Sequence, residues 1–357
     1  MARIVLAGAG HCHVEVLRQA ADLLDAGHSL TVISPDREHI YSGMAPGILA
    51  GSWSAAEASL PVAELAHRAG ADFLQDRVVS LDPVGRTIQC ALTGSHHYDL
   101  VSFNLGSETV VPAGLSGSIH PVKPTGNLAA VAALLQGERA SGVRVAVVGG
   151  GFGGIEIAAN VASLPGCRGG VSLYAHRFAP ALPERSGRMN YLRRVMVERG
   201  VTLHLGEQVK AEELDADVVL LATGIVPPAV LGELNLPLSG DGALRVDEFL
   251  QVVGHQDIFA VGDCAEFTPA PLPRVGVFAV RQQAVLIHNL MVRAGGARQG
   301  HAAAEGLRRF TGTGPYLQGM NLGPGRGLLY RGPWTVTGPL AWRLKARIDH
   351  RFMGRYR

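Results

Sequence analysis

Two glycine-rich turns, each lying between a run of β-formers and a helical pattern, constrain the fold of this chain more than any other feature. The first is Ile4-Val5-Leu6-Ala7-Gly8-Ala9-Gly10-His11-Cys12-His13, and the second is Val145-Ala146-Val147-Val148-Gly149-Gly150-Gly151-Phe152-Gly153-Gly154. In such a strand–turn–helix the first glycine allows the tight turn and the second lets backbone approach a diphosphate. The helix N-terminus adds free N–H groups and a partial positive charge. One such turn predicts a nucleotide. Two, in successive βαβ units, predict a protein that holds two dinucleotides and moves electrons between them.

The 357 residues are enough for two or three domains, and 47% hydrophobic against 17% charged predicts an ordered chain. The 46 glycines follow no period, which excludes collagen-like and low-complexity readings. No apolar run reaches the length of a membrane span, and Met1-Ala2-Arg3 leads straight into a strand, so a cytoplasmic protein is expected. Cys12, Cys90, Cys167 and Cys264 have neither zinc-knuckle nor redox-pair spacing and read mainly as small buried hydrophobes. Cys12 and Cys264 also fall inside motifs expected to approach a cofactor. His11 and His13 flank Cys12 without the spacing of a helix-face metal pair, and no metal is expected. Seven of the 32 basic residues fall between Arg331 and Arg357, against a single acid, Asp349. A basic tail on a mildly acidic body points to a membrane surface or an acidic partner, not to nucleic acid.

Strands are expected at residues 2–8, 28–34, 76–81, 86–92 and 99–105, with a helix at 11–26. The long mixed loop 37–53 is expected to lie over a ligand. Residues 112–125 read as a linker. Helix 127–136, strand 143–149, helix 153–163, strand 170–174, helix 187–199 and strands 201–205 and 217–222 would form the second unit. After a second linker, a strand runs into Gly262-Asp263, followed by a helix at 274–293, a glycine-rich region and the basic tail. The expected domains are residues 1–111 and 231–300 for one split unit, 112–230 for the inserted one, and 301–357 for a C-terminal region.

Further motifs run from end to end: Ile33-Ser34-Pro35-Asp36, Tyr41-Ser42-Gly43-Met44-Ala45-Pro46-Gly47, Pro121-Val122-Lys123-Pro124, Phe259-Ala260-Val261-Gly262-Asp263-Cys264, Gly276-Val277-Phe278-Ala279-Val280-Arg281-Gln282, and Trp342-Arg343-Leu344-Lys345 with Ile348-Asp349-His350-Arg351-Phe352-Met353. Together with the two turns they resemble two-dinucleotide flavoproteins of the pyridine nucleotide–disulfide oxidoreductase fold. Among these the chain is most similar to type II NADH dehydrogenase-like proteins, in the sub-group that stands alone or is fused ahead of selenide-water dikinase. The implied fold is α/β, with two Rossmann-like dinucleotide-binding domains, the second inserted in the first. A C-terminal region with a basic amphipathic helix follows.

The resemblance implies FAD in the split domain, with NADH or NADPH as co-substrate in the inserted one. FAD contacts would come from Gly8, Gly10, His11, Cys12, His13, Ser34, Pro35, Asp36, Ser42, Gly43, Val79, Asn104, Gly106, Gly262, Asp263, Val277 and Phe278. Nicotinamide-nucleotide contacts would come from Gly149, Gly151, Phe152, Gly153, Gly154, His176, Arg177, Thr223 and Gly224. Glu156 and Lys123 are the catalytic candidates, Glu156 with a helix-capping role as its alternative.

Several residues depart from the pattern. His13 stands at the third glycine position, so the helix must shift slightly. Ser34 replaces the usual ribose acid, a task left to Asp36. The strand of the second unit ends in Ala175-His176-Arg177 with no acid, which leans towards NADPH or towards no strong preference. Val277 and Arg281 stand where quinone-facing glutamines are usual. Leu340, Leu344, Ile348 and Phe352 recur every four residues and predict an apolar stripe, packed on protein slightly in preference to a membrane. The expected function is electron transfer from NAD(P)H through flavin to a quinone-type acceptor. The alternatives are a sulfide:quinone or other sulfur- or selenium-linked oxidoreductase using Cys12, Cys167 or Cys264, and a flavin-bearing redox sensor. A peripheral site at the inner membrane face, through residues 340–357, and a homodimer both stay open.

Overall fold

The run after Arg3 has no polar alternation, the pattern of a strand covered on both faces, and β1 (Arg3–Ala7) is buried from Ile4 onward. The computed structural model of the chain describes residues 1–111, 118–137, 142–167, 170–206, 214–296 and 305–357. From β1 the chain turns into α1 (His11–Arg18) and returns as β2 (Ser29–Ser34). The helix expected over 11–26 is broken, because at Gln19 and Ala20 the hydrogen bonds tighten onto the carbonyls of Val16 and Leu17. A separate short helix, Ala21–Asp25, follows. The 37–53 segment is structured, with a two-residue strand, His39–Ile40, and a buried helix, Ala45–Leu49. β3 (Asp72–Gln75) and β4 (Leu100–Phe103) complete the first pass. Between them Val78–Asp82, Thr87–Cys90 and Gly94–His97 form an antiparallel sheet whose third strand was not expected.

Part of the expected linker is a strand of the second sheet. Residues 119–121 belong to the expected linker, yet they form β5 (Ile119–Pro121). The first six residues of that linker, 112–117, lie outside the described residues. Then come α2 (Asn127–Gln136), β6 (Val145–Val148), α3 (Phe152–Val161), β7 (Val171–Ala175), α4 (Gly187–Arg199), β8 (Thr202–Leu205) and β9 (Val218–Leu221). The order β5-β9-β6-β7-β8 is parallel throughout. β10 (Ile258–Ala260) then returns to pair with β4, giving the first sheet the parallel order β10-β4-β1-β2-β3. One doubly wound unit is therefore threaded through another.

α5 (Gly276–Gly296) covers the first sheet and packs on α1. The glycine-rich region contains a meander that the sequence reading missed: β11 (Gln318–Asn321), β12 (Gly327–Arg331) and β13 (Trp334–Thr337). α6 (Gly338–Met353) closes the chain against β12. Of its predicted stripe only Phe352 faces the protein. Leu340, Leu344 and Ile348 are 58%, 39% and 45% exposed, while Ala341, Lys345, Asp349, Phe352 and Met353 are buried.

Candidate functional site

In both sheets the glycine turn leaves the central strand at the switch point, where the loop of the neighbouring strand meets it. In the first, Gly8 adopts φ +90°, and a Cβ there would lie 2.6 Å from the Asn104 carbonyl oxygen. Asn104, expected as a cofactor contact, stands directly after β4 and frames the turn. Its Oδ1 accepts from the Cys12 N–H at 3.0 Å and its Nδ2 donates to the Val261 carbonyl at 2.9 Å. It thereby caps α1 and ties the first turn to Gly262-Asp263, and its carboxamide occupies the place a Cβ on Gly10 would take. Two glutamines of α5 complete the frame: Gln282 accepts from the Gly262 N–H and Gln283 donates to the His11 carbonyl, both at 2.8 Å.

His13 explains how the third glycine is dispensable. It is fully buried, with Nδ1 2.7 Å from the Gly8 carbonyl and Nε2 2.8 Å from the Ser102 hydroxyl. The small Ser102 on β4 leaves room for the ring, and burial lowers its pKa to about 4, partly offset by the Gly8 bond. The second turn has no such substitute. A Cβ on Gly154 would collide with the Gly149 carbonyl, so glycine is required there.

Beyond the first turn lies a polar cluster. Asp263 accepts from Ser107 Oγ at 2.8 Å and Lys123 Nζ at 3.2 Å. Burial would raise the Asp263 pKa, but the Lys123 charge and these bonds outweigh it and hold it below the usual value. His11 opens α1 within ring contact of His39 (5.5 Å), Tyr41 (5.3 Å) and Phe352 of α6 (5.9 Å). Tyr41 stacks on Phe352 at 4.6 Å, and its hydroxyl points to Asp349 Oδ1 at 3.4 Å. Lys345 donates to Asp349 Oδ2 at 2.6 Å and to the Gly43 carbonyl at 2.7 Å. Ser42 Oγ lies beside Gly276 at the start of α5.

Glu156 reaches the same cluster from the second unit. Its Oε1 accepts the Asn321 N–H at 2.7 Å, which removes the helix-capping alternative. Burial lifts its pKa to about 7, against the opposing pull of Lys345 and the Asn321 bond. The second turn itself is open. Gly151, Gly153 and Gly224 have no neighbour within 4 Å of a Cβ position, whereas Gly149 and Gly150 press on Ala222 and Arg177 backbone. Phe152 meets Tyr330 edge-on at 6.5 Å. Ala175 ends β7 and is followed by exposed His176 and Arg177. The Thr223 hydroxyl is committed to the Val110 carbonyl at 2.6 Å.

The candidate residues therefore fall into two sets around the turns, with Glu156 and Lys123 in the buried polar region. Asp36 and Val79 stand outside that region: Asp36 is exposed beyond β2 and Val79 is 39% exposed, whereas Ser34 and Pro35 are more enclosed. Val277 and Phe278 lie in the first turn of α5, Phe278 edge-on to Tyr316 at 5.3 Å. Arg281 does not line the site in the expected way. It binds the carbonyls of Gly312, Gly314 and Pro315. Lys345, Asp349, His39, Gln282 and Gln283 were missed as a set; only the i,i+4 spacing of Lys345 and Asp349 signals a pair. Burial raises the pKa of all three candidate thiols, and Cys12 donates to the Ala279 carbonyl at 2.8 Å and Cys264 to the Val261 carbonyl at 3.3 Å.

These features fit two dinucleotides. The second turn keeps open backbone for a diphosphate, Gly106 has open space above it, and His11 Nε2 and His39 Nε2 are buried with no hydrogen-bond partner among the described residues.

The profile of the pyridine nucleotide-disulphide oxidoreductase family matches residues 2–286. Among curated proteins, the chain is 26% identical over 246 residues to ferroptosis suppressor protein 1 of Taeniopygia guttata, covering 62% of this chain and 64% of that one. It is 26% identical over 235 residues to demethylphylloquinone reductase NdbB of Synechocystis, covering 59% of this chain and 58% of that one. The matches thus span less than two thirds of these relatives' length. Among solved structures, the sulfide:quinone oxidoreductase of Aquifex aeolicus superposes on the whole chain and 92% of its own, with a TM-score of 0.74 at 16% identity, a likeness of fold.

Proposed function

The chain belongs to the pyridine nucleotide-disulphide oxidoreductase family, and from that membership we propose that it is an FAD-dependent NAD(P)H dehydrogenase with a quinone-type acceptor. The observation that carries this reading is the position of Glu156. The helix that starts at the second glycine turn carries it to the Asn321 N–H of β11, the strand whose Gly319 lies against the Lys345 side chain, and Lys345 in turn holds the Gly43 carbonyl.

In this reading residues 1–111 and 231–300 hold FAD, residues 112–230 hold the nicotinamide nucleotide, and 301–357 form the acceptor side. When bound, FAD supplies two-electron chemistry between a nicotinamide donor and a quinone. The chain supplies placement. Gly8 and Gly10 shape the turn, Asn104 fixes the start of α1, and the Lys123–Asp263 pair sets a polar edge. Gly149, Gly151 and Gly153 give a second diphosphate access to backbone. Glu156, with its pKa near neutrality, can hold or release a proton at Oε2 while Oε1 stays with Asn321. The name of the Synechocystis relative, a demethylphylloquinone reductase, supports a quinone acceptor. The thiols of Cys12 and Cys264, donated to backbone carbonyls, give little support to sulfide as the donor.

Ala175, His176 and Arg177 support use of NADPH at least as well as NADH, since no acid is there to repel a 2′-phosphate. The exposed Leu340, Leu344 and Ile348, flanked by exposed Arg343, Arg347 and Arg351, support peripheral docking of α6 at the inner membrane face. No helix among the described residues is long and apolar enough to cross a membrane. The motif set supports kinship with the sub-group linked to selenide-water dikinase. The test is steady-state turnover of the purified protein. NAD(P)H with a soluble quinone should give sustained oxidation, and sulfide with the same quinone none. Turnover with sulfide alone would overturn the choice of donor.

A further inference from the structure

His39 has no part in the sequence motifs, yet it forms a pair with His11 that the rest of the site leaves unsatisfied. Their rings meet edge-on with centroids 5.5 Å apart. The Nε2 atom of each is buried and has no hydrogen-bond partner among the described residues, and His11 as a whole is only 9% exposed. A buried imidazole nitrogen in that condition is costly unless a ligand satisfies it.

The charges around the pair indicate what kind of ligand. His11 is the first residue of α1, where the helix end is partially positive. From the loop after β5, Lys123 acts on both imidazoles. From the segment after β10, Asp263 acts on His11, but it is already bound to Lys123 and Ser107. Tyr41 lies beside His11, its hydroxyl turned to Asp349, which is itself paired with Lys345. α6 contributes the uncharged ring of Phe352. The charges around the pair are matched, Lys123 with Asp263 and Lys345 with Asp349, so the open polar groups are the two imidazole nitrogens beside the positive end of α1. That is a site for an anion.

We propose that His11 and His39 form a two-imidazole clasp on the diphosphate of FAD, and that the pair gains a proton from solvent when the cofactor binds. This rests on the FAD reading above. Burial, with the Lys123 charge against both and His11 against His39, keeps the free pair neutral, with pKa values of about 4 and about 3. A diphosphate facing the rings supplies an acceptor and opposes the Lys123 charge, so both effects move the pair towards protonation. No other bond changes.

Isothermal titration of the full-length apoprotein with FAD, at pH 6.5 in two buffers of different ionisation enthalpy, tests this directly. The expected result is one FAD bound with uptake approaching one proton, and affinity that tightens up to about tenfold per pH unit as pH falls from 7.5 to 6. Riboflavin, which has the ring system without the diphosphate, is the control and should take up none. His39→Gln should remove most of the uptake and weaken FAD about tenfold. His11→Asn should do the same and serves if the first variant does not fold. Stoichiometric FAD with no proton uptake by the wild type overturns the clasp alone. Equal uptake with riboflavin overturns the diphosphate assignment. Absence of any FAD binding overturns the clasp together with the reading on which it rests.

Discussion

Lys345 and Gly43 are 302 residues apart in the chain, and the Lys345 ammonium lies 2.7 Å from the Gly43 carbonyl oxygen. The last helix thereby closes on the first domain through a charge, and Asp349, one turn on, balances that charge at 2.6 Å. Their side chains are only 11% and 3% exposed. Removing one partner strands the other, whereas removing both does not. Asp349→Asn should therefore lower unfolding stability by about 3–5 kcal/mol. Lys345→Met with Asp349→Leu should recover most of that loss. Urea unfolding of the three proteins checks it, and equal loss in the single and double variants would refute it.

Acid should destabilise the cofactor-free protein well above the usual carboxylate range. His11 and His13 have pKa values of about 4 and His39 of about 3, against 6.5 ordinarily. Between pH 6.5 and 4 the unfolded chain therefore binds more protons at these three groups, and stability falls as pH drops through that window. Glu156 acts in the opposite sense, because its raised pKa makes the folded state the better proton binder between 4.5 and 7. Three histidines outweigh one glutamate. Urea midpoints should fall from pH 7.5 to pH 5, with a shallower fall in His13→Ala. A flat profile in the wild type would count against the buried neutral imidazoles.

Arg177 gives a direct handle on nucleotide choice. Arg177→Asp places an acid just beyond the end of β7 and should raise KM for NADPH at least tenfold while leaving NADH within a few-fold. Steady-state kinetics with both nucleotides read this out. An unchanged NADPH KM would mean that Arg177 is only a solvated charge.

The exposed face of α6 should bind bilayers. Wild-type protein should float with anionic vesicles, and the triple variant Leu340→Ser, Leu344→Ser, Ile348→Ser should stay in the aqueous fraction. Its thermal midpoint should hardly change, because all three positions are exposed. Equal flotation of the two proteins would place the contact elsewhere.

The glycine turns and apolar runs made the two parallel sheets legible, because the central runs are buried on both faces and each turn has a narrow set of uses. The tail was legible as a helix but not in its orientation. The expected stripe grouped Leu340, Leu344 and Ile348 with Phe352, but only Phe352 is buried, and the ion pair lets Lys345 and Asp349 be buried in place of the other three. The β11–β13 meander was hidden by Gly319, Gly323, Gly325, Gly327 and Gly332, which interrupt strand alternation. His39 carries no motif of its own, and Asn104 was legible only as a cofactor contact, not as the tie between the two turns. Their roles come from neighbours that only the fold brings together.

The central claim is that one chain holds a flavin between a nicotinamide donor and a quinone, and anaerobic stopped-flow absorbance measures it most directly. The account predicts one FAD per chain, bleaching of the oxidised flavin band by NADPH or NADH, and its return when a quinone is added. A protein purified without flavin that takes none up, or a bound flavin that neither nucleotide bleaches, would contradict it.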